Sequence, residues 1–270
     1  MLIDGKDTDQ IAADDRGLLY GDGLFETIAV RDGVPQLWLQ HMARLQRDCA
    51  RLGITPPAVD LLHSEAQHLC SGQSRAVLKI IITRGSGGRG YRAPEPAAPR
   101  RVLSLHPWPA YPDHYPEQGI CVRLCAMRLG SNPRLAGIKH LNRLEQVLAR
   151  AEWDDPGIGE GLLLDGEGRL VEGTMSNVFL VRDGRLQTPL LDACGVAGVM
   201  RECVLELARQ GGIACEVTRL GLDDVAAADE MFVCNSVIGL WPVCQFEQQP
   251  LAAGPLTRRL QQAIGALTHA

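Results

Sequence analysis

Pro107-Trp-Pro-Ala-Tyr-Pro-Asp-His-Tyr-Pro116 places four prolines, at 107, 109, 112 and 116, in a single short stretch. Proline fixes φ and lacks an amide hydrogen, so neither a helix nor a central strand runs through such a segment. The stretch reads as a linker over 107–118, separating a smaller N-terminal domain (1–106) from a larger C-terminal domain (119–270). A length of 270 residues, set against roughly 150 per domain, agrees with two. Both halves mix strand-like and helical patterns, so the predicted class is α+β, with the functional site expected between the domains.

Upstream of the prolines, 24–30 and 34–38 flank Arg31-Asp32-Gly33 and read as a hairpin. Leu39, Met42, Leu45, Cys49 and Leu52 fall at helical spacing, with Gly53 as a stop, which predicts an amphipathic helix over 39–52. A second helix is predicted over 59–70, and strands over 76–83 and 101–105. Downstream, 120–127 reads as a strand. A helix over 142–153 shows Leu144, Val147, Leu148 and Ala151 on one face, with Asn142 and Glu145 as a capping box. Two hairpins follow, 161–165 with 169–172 and 178–181 with 185–187, then a helix over 200–210, a strand over 231–234 and a closing helix.

Composition narrows the function classes. Apolar residues make up 46% and charged residues 22%, which excludes disorder, and aromatics at 4% leave the core to Leu, Val, Ile and Ala. The net charge of −5 comes without a basic stripe, which argues against a nucleic-acid partner. No apolar run approaches the about 20 residues of a bilayer-spanning helix, and the first residues are too polar for a secretory signal. Nine cysteines without a C-x-x-C pair suit reduced thiols, so the expected setting is soluble and cytoplasmic. Seven histidines show no ligand spacing, and no metal is expected.

Gly85-Ser-Gly87-Gly-Arg-Gly90 matches G-x-G-x-x-G after a strand, but Pro94, Pro96 and Pro99 follow. The dinucleotide motif needs a helix whose first amides hold a pyrophosphate, and none can start here. The glycines instead let a loop bearing Arg84, Arg89 and Tyr91 approach something closely.

Other residues can carry chemistry. Lys139 lies between a glycine turn and a helix start, flanked by Ile138 and Leu141. A desolvated amine is available as a nucleophile, although most lysines are simply solvated. Glu172 ends a strand; it is either an exposed carboxylate or the partner of a protonated cofactor ring nitrogen. Gly198-Val-Met200 opens a helix whose free amides could seat a phosphate. Arg44 sits on a polar helix face with Gln40, His41, Arg47, Asp48 and Arg51, and Asn235-Ser236 follows a strand.

Taken in order, Tyr20-Gly-Asp-Gly-Leu-Phe-Glu26-Thr27, His41-x-x-Arg44-Leu45, Lys139, Glu172-Gly-x-x-Ser-Asn177 and Gly198-Val-Met-Arg201 resemble the fold type IV pyridoxal-phosphate enzymes. That family includes branched-chain and D-amino-acid aminotransferases and aminodeoxychorismate lyases, and the likeness spans the whole chain. Two stretches resemble the lyase branch in particular: Thr83-Arg-Gly-Ser-Gly-Gly-Arg-Gly-Tyr91 and Asn132-Pro-Arg-Leu-Ala-Gly-Ile-Lys-His-Leu-Asn-Arg-Leu-Glu-Gln-Val-Leu148. The resemblance implies the two-domain D-amino-acid aminotransferase-like architecture, pyridoxal 5′-phosphate and a homodimer. It implies Lys139 as Schiff-base lysine and proton shuttle, assisted by Thr27, and Glu172 on the pyridine nitrogen. Arg44, the amides around Val199 and Met200, and Asn235 and Ser236 would hold the phosphate; Arg89, Tyr91 and Arg84 would meet the substrate carboxylates. The implied reaction converts 4-amino-4-deoxychorismate to 4-aminobenzoate and pyruvate. The alternatives are an aminotransferase of the same fold and a catalytically dead relative acting as an interaction module.

Overall fold

A computed structural model describes residues 1–268 and resolves them into two units, 1–109 with 138–142, and 110–137 with the residues from 143 onward. The first unit contains β1 (Leu2–Ile3), β2 (Lys6–Asp7), α1 (Arg16–Tyr20), β3 (Gly23–Arg31), β4 (Val34–Pro35), α2 (Trp38–Leu52), α3 (Val59–Cys70), β5 (Arg75–Thr83) and β6 (Arg100–Pro107). Its six-stranded sheet has the order β2-β1-β6-β5-β3-β4. β3 and β5 are antiparallel along their whole length, from Gly23 opposite Thr83 to Arg31 opposite Arg75. Alternation on β3 sends Leu24, Glu26, Ile28 and Val30 inward and leaves Phe25 and Thr27 half-buried on the other face.

Leu24, Ile28, Leu78, Ile80, Ile82 and Leu103 from the sheet meet Met42, Leu45 and Cys49 of α2 and Leu62, Ala66 and Cys70 of α3. Burying each Leu or Ile this fully is worth about 1.5–3 kcal/mol. Two expectations shift. Leu39, assigned to the apolar stripe of α2, is 77% exposed, and its neighbour Trp38 packs against the core in its place. The hairpin arm expected over 34–38 pairs only at Val34 and Pro35 before α2 begins.

The second unit contains α4 (Tyr115–Gln118), β7 (Ile120–Leu129), α5 (Leu144–Arg150), β8 (Ile158–Asp165), β9 (Leu170–Gly173), β10 (Asn177–Arg182), β11 (Arg185–Pro189), α6 (Val199–Gln210), β12 (Cys215–Thr218), α7 (Leu222–Ala226), β13 (Glu230–Asn235), β14 (Gly239–Phe246), β15 (Gln249–Pro250) and α8 (Pro255–Thr268). Its sheet runs β12-β11-β10-β13-β14-β7-β8-β9, with β15 paired to β14. Both expected hairpins form, as β8–β9 and β10–β11. The proline-rich stretch carries structure of its own. Pro107 ends β6, Pro116 lies in the first turn of α4, and Tyr111 and Tyr115 pack edge-on against Trp241 with centroids 4.8 and 5.1 Å away.

The helix expected over 142–153 is shorter, and its capping box does not form. The N-cap position of α5 falls to Arg143, which makes no side-chain cap, and Asn142 instead donates to Gly21 O at 3.3 Å. Glu145 accepts from Gly130 N–H at 2.8 Å. The apolar face of α5 is also not core: Leu144, Val147 and Leu148 are exposed, and only Ala149 is buried. Among the described residues, no helix is long and apolar enough to cross a membrane.

Candidate active site

The segment 138–142 is held in the first unit as an added rung on the edge of β3. Lys139 O accepts from Phe25 N–H and Gly23 O accepts from Leu141 N–H, each at 3.0 Å, and Leu24 bridges to His140. Gly23 makes this approach possible, since a Cβ there would strike Ile82 O and the Leu141 side chain. With its backbone fixed, Lys139 lays its half-buried side chain across an aromatic face, Nζ lying 4.4 Å from the Phe25 ring centroid. Thr27 follows Phe25 on the same strand face. The chain has only two other lysines, the exposed Lys6 on β2 and Lys79 on β5, opposite Thr27 with Nζ 5.1 Å from the Phe25 centroid.

Beneath this surface lies a buried ionic cluster. Arg44 donates from Nε to Glu26 Oε1 at 2.8 Å and from Nη2 to Oε2 at 2.5 Å, and His41 Nδ1 lies 2.6 Å from Oε2. Burial alone would raise the Glu26 pKa, but the charge of Arg44 and the hydrogen bonds from His41 and Arg44 outweigh it and hold the carboxyl at about 2. Burial pushes His41 down, against the pull of Glu26. A neutral His41 donating from Nδ1 leaves Nε2 a bare lone pair, which accounts for its lack of a partner in the interior. Asp48 Oδ2 lies 3.4 Å from Lys139 N; burial raises the pKa of this carboxyl against the charge of Arg47. Arg44 thus reaches its position through a bidentate carboxylate, a pairing of high directional specificity.

The glycine-rich loop after β5 is tied down by a residue that sequence reasoning missed. Buried Arg16 donates to Gly90 O and Tyr91 O at 3.0 Å and to Asp22 at 2.8 Å. Arg84 is spent on the scaffold: it holds Asp22 through two bonds, Gly53 O at 2.7 Å and Leu52 O at 2.8 Å, closing the end of α2. Arg89 is exposed, as is Tyr91, whose ring meets Tyr20 edge-on at 5.5 Å. Of the three loop residues, these two present side chains outward.

In the second unit, Glu172 is 4% exposed at the end of β9, accepting from Val196 N–H at 2.8 Å and Gln146 Nε2 at 3.4 Å. Val196 O in turn accepts from Asn177 Nδ2 at 2.9 Å, and Gly137 bridges to Val196. Glu172 therefore lies beside the turn that opens α6. There Val199, Met200 and Arg201 precede the first intrahelical bond, from Glu202 N–H to Gly198 O, and glycine at the N-cap offers no side-chain acceptor for their amides. A Cβ at Gly198 would run into Asn177 Oδ1, whose side chain is held by Val196 O, so glycine is what fits beside it. Arg201 turns inward to Pro189 O at 3.1 Å.

The loop after Glu172 is shaped by Glu160, which carried no signal in the sequence. It accepts from the Thr174 and Ser176 hydroxyls at 2.6 Å and from Thr174 N–H at 3.0 Å. Asn235 caps its own turn, Oδ1 taking Val237 N–H at 2.8 Å and Ile238 N–H at 2.9 Å, while Nδ2 reaches Met175 O at 3.1 Å. Ser236 is half-buried beside it. Within this unit, an uncapped helix start beside a buried carboxylate is a donor set suited to an anionic group and a protonated ring nitrogen.

Residues 23–246 match the family described as amino-transferase class IV. The chain is similar to the aminodeoxychorismate lyase of Vibrio harveyi, 36% identical over 263 residues that cover 96% of this chain and 97% of that one. Among solved structures, 4-amino-4-deoxychorismate lyase from Pseudomonas aeruginosa matches with a TM-score of 0.94 at 48% identity, covering 98% of each chain. Branched-chain amino acid aminotransferase of Escherichia coli matches with a TM-score of 0.87 at 26% identity, covering 98% of this chain and 93% of that one.

Proposed function

The chain belongs to the class IV aminotransferase family, and from that membership we propose that it is a pyridoxal 5′-phosphate-dependent lyase converting 4-amino-4-deoxychorismate to 4-aminobenzoate and pyruvate. The observation that carries the reading is the 48% identity to the Pseudomonas aeruginosa lyase over 98% of each chain, against 26% to the Escherichia coli aminotransferase.

Lys139 would hold the cofactor covalently and, once released, take the proton from the amine-bearing ring carbon. Bound here, pyridoxal phosphate supplies an electron sink for the charge left by that proton. Glu172 would keep the proton on the cofactor's ring nitrogen, its orientation fixed by Val196 and Gln146. The Val199 and Met200 amides, with Arg44, Asn235 and Ser236, would hold the phosphate. Thr27 would assist Lys139 in moving the proton. Arg89 and Tyr91 would meet the two substrate carboxylates, with Arg84 positioning their loop through Asp22. Expulsion of the enolpyruvyl group then aromatises the ring, and the proton passes to the departing enolate.

Incubation of the holoenzyme with 4-amino-4-deoxychorismate and no 2-oxo acid is expected to release 4-aminobenzoate and pyruvate in equal amounts. Product that appears only with an added oxo acid would instead make the protein an aminotransferase. The nine cysteines are free thiols, in keeping with a reducing compartment, the cytoplasm.

A homodimer is part of the same proposal, and α5 supports it. Leu144, Val147 and Leu148, at 68%, 61% and 48% exposure, form an apolar stripe of a kind that a second copy would cover. Replacing Leu144 and Val147 together by Glu is expected to convert the dimer to monomer in light scattering. An unchanged mass would remove α5 from the interface.

A further inference from the structure

Strand β14 runs parallel to β7, and the ladder is broken once: Val243 pairs with Ile120 and Gln245 with Cys121, leaving Cys244 as the extra residue of a bulge. A bulge re-aims its side chain, and here the Cys244 thiol lies beside that of Cys121, close enough for the two to interact. Cys121 pairs with Gln245, the neighbour of Cys244, across strands about 4.8 Å apart, and one step of about 3.3 Å along the strand puts the two Cα atoms about 6 Å apart, within the about 4.4–6.8 Å that a disulfide spans. Both residues are half-buried, so small oxidants can reach them.

Cys49, Cys70, Cys125, Cys203 and Cys234 are buried, and burial drives Cys49 and Cys125 to about 12 and Cys70 to about 11. Cys194 is likewise pushed by burial to about 12, and Cys215 is exposed. Burial raises the Cys244 thiol too, so what sets it apart is the thiol beside it and not its acidity.

We propose that Cys121 and Cys244 form a modification site, a dithiol that hydroperoxides oxidise to an intrachain disulfide. The Cys121 thiolate attacks one oxygen of the peroxide, the O–O bond breaks, and hydroxide leaves and gains a proton as water. Cys121 is left as a sulfenic acid. The sulfur of Cys244 then displaces the hydroxyl, forming the S–S bond, and its thiol proton leaves with that hydroxyl as a second water. Two thiols have lost two electrons and two protons, and one hydrogen peroxide has become two waters. This step is independent of the lyase reading.

The test treats the folded protein with hydrogen peroxide, alkylates the remaining thiols and maps the digest by mass spectrometry. The expected result is the loss of two alkylatable thiols and one cross-linked peptide pair joining Cys121 to Cys244, reversed by dithiothreitol. Cys234 shares a tryptic peptide with Cys244, so Cys244→Ser decides between them, and the cross-link is expected to vanish in that variant. In Cys244→Ser the oxidised Cys121 is expected to be trapped by dimedone as the sulfenic acid. The proposal is overturned if both thiols remain alkylatable while Cys215 oxidises, or if the cross-linked peptide persists in Cys244→Ser.

Discussion

Lys139→Ala is expected to abolish turnover and covalent cofactor attachment together, with a loss of at least about 10²–10⁴-fold from the proton-transfer role alone. The lysine's backbone is fixed by Phe25 and its side chain by the Phe25 ring, so truncation to alanine removes the amine without releasing the segment. Only Lys6 and Lys79 could substitute for it. Borohydride reduction of the wild-type holoprotein followed by peptide mapping is expected to find the pyridoxyl group on Lys139. An adduct on Lys79, or one that survives in Lys139→Ala, would refute the assignment.

Glu26→Ala is expected to cost about 3–5 kcal/mol of stability, because it removes the bidentate acceptor of the buried Arg44 charge and the partner of His41 Nδ1. Urea unfolding of the cofactor-free protein measures this. The same carboxylate contributes an acid-dependent share in the wild type. Its pKa is lowered from 4.5 to about 2 on folding, so its stabilisation is complete above about pH 4.5 and drains away as pH falls toward 2. That share is on the order of 3 kcal/mol. Glu26→Ala is expected to show a correspondingly flatter decline over this window. A loss below about 1 kcal/mol at neutral pH would mean that Arg44 finds another counter-ion and does not depend on Glu26.

Local pattern made much of the scaffold legible. The turn residues between β8 and β9 and between β10 and β11 marked both hairpins, and α3 spans the predicted 59–70. Patterning failed where a pattern has two physical meanings. The apolar spacing of Leu144, Val147 and Leu148 reads the same whether the face meets a core or a second protein, and here it lies open. The polar face of α2 likewise hid two stripes. His41, Arg44 and Asp48 are buried, while Gln40, Arg47 and Arg51 are exposed. The i, i+3, i+7 spacing of the buried three, beside Met42, Leu45 and Cys49, was the available signal.

Long-range partners were not legible in any window. Glu160 acts on residues 174–176 through the pairing of β8 with β9, and Arg16 clamps carbonyls more than seventy positions away. Arg84 was expected to meet substrate because it adjoins the glycine loop; only the folded chain reveals Asp22 and the end of α2 as its partners.

The five residues 138–142 have a consequence for how such chains can be recombined. They are laddered to Gly23–Phe25 although the residues on either side of them belong to the other unit. A crossover between two relatives at the proline-rich stretch would therefore inherit the lysine from one parent and the strand edge that receives it from the other. Chimeras of this architecture are constrained to exchange 20–27 and 138–142 as a matched set, and the halves are not free cassettes even though the backbone suggests a natural cut.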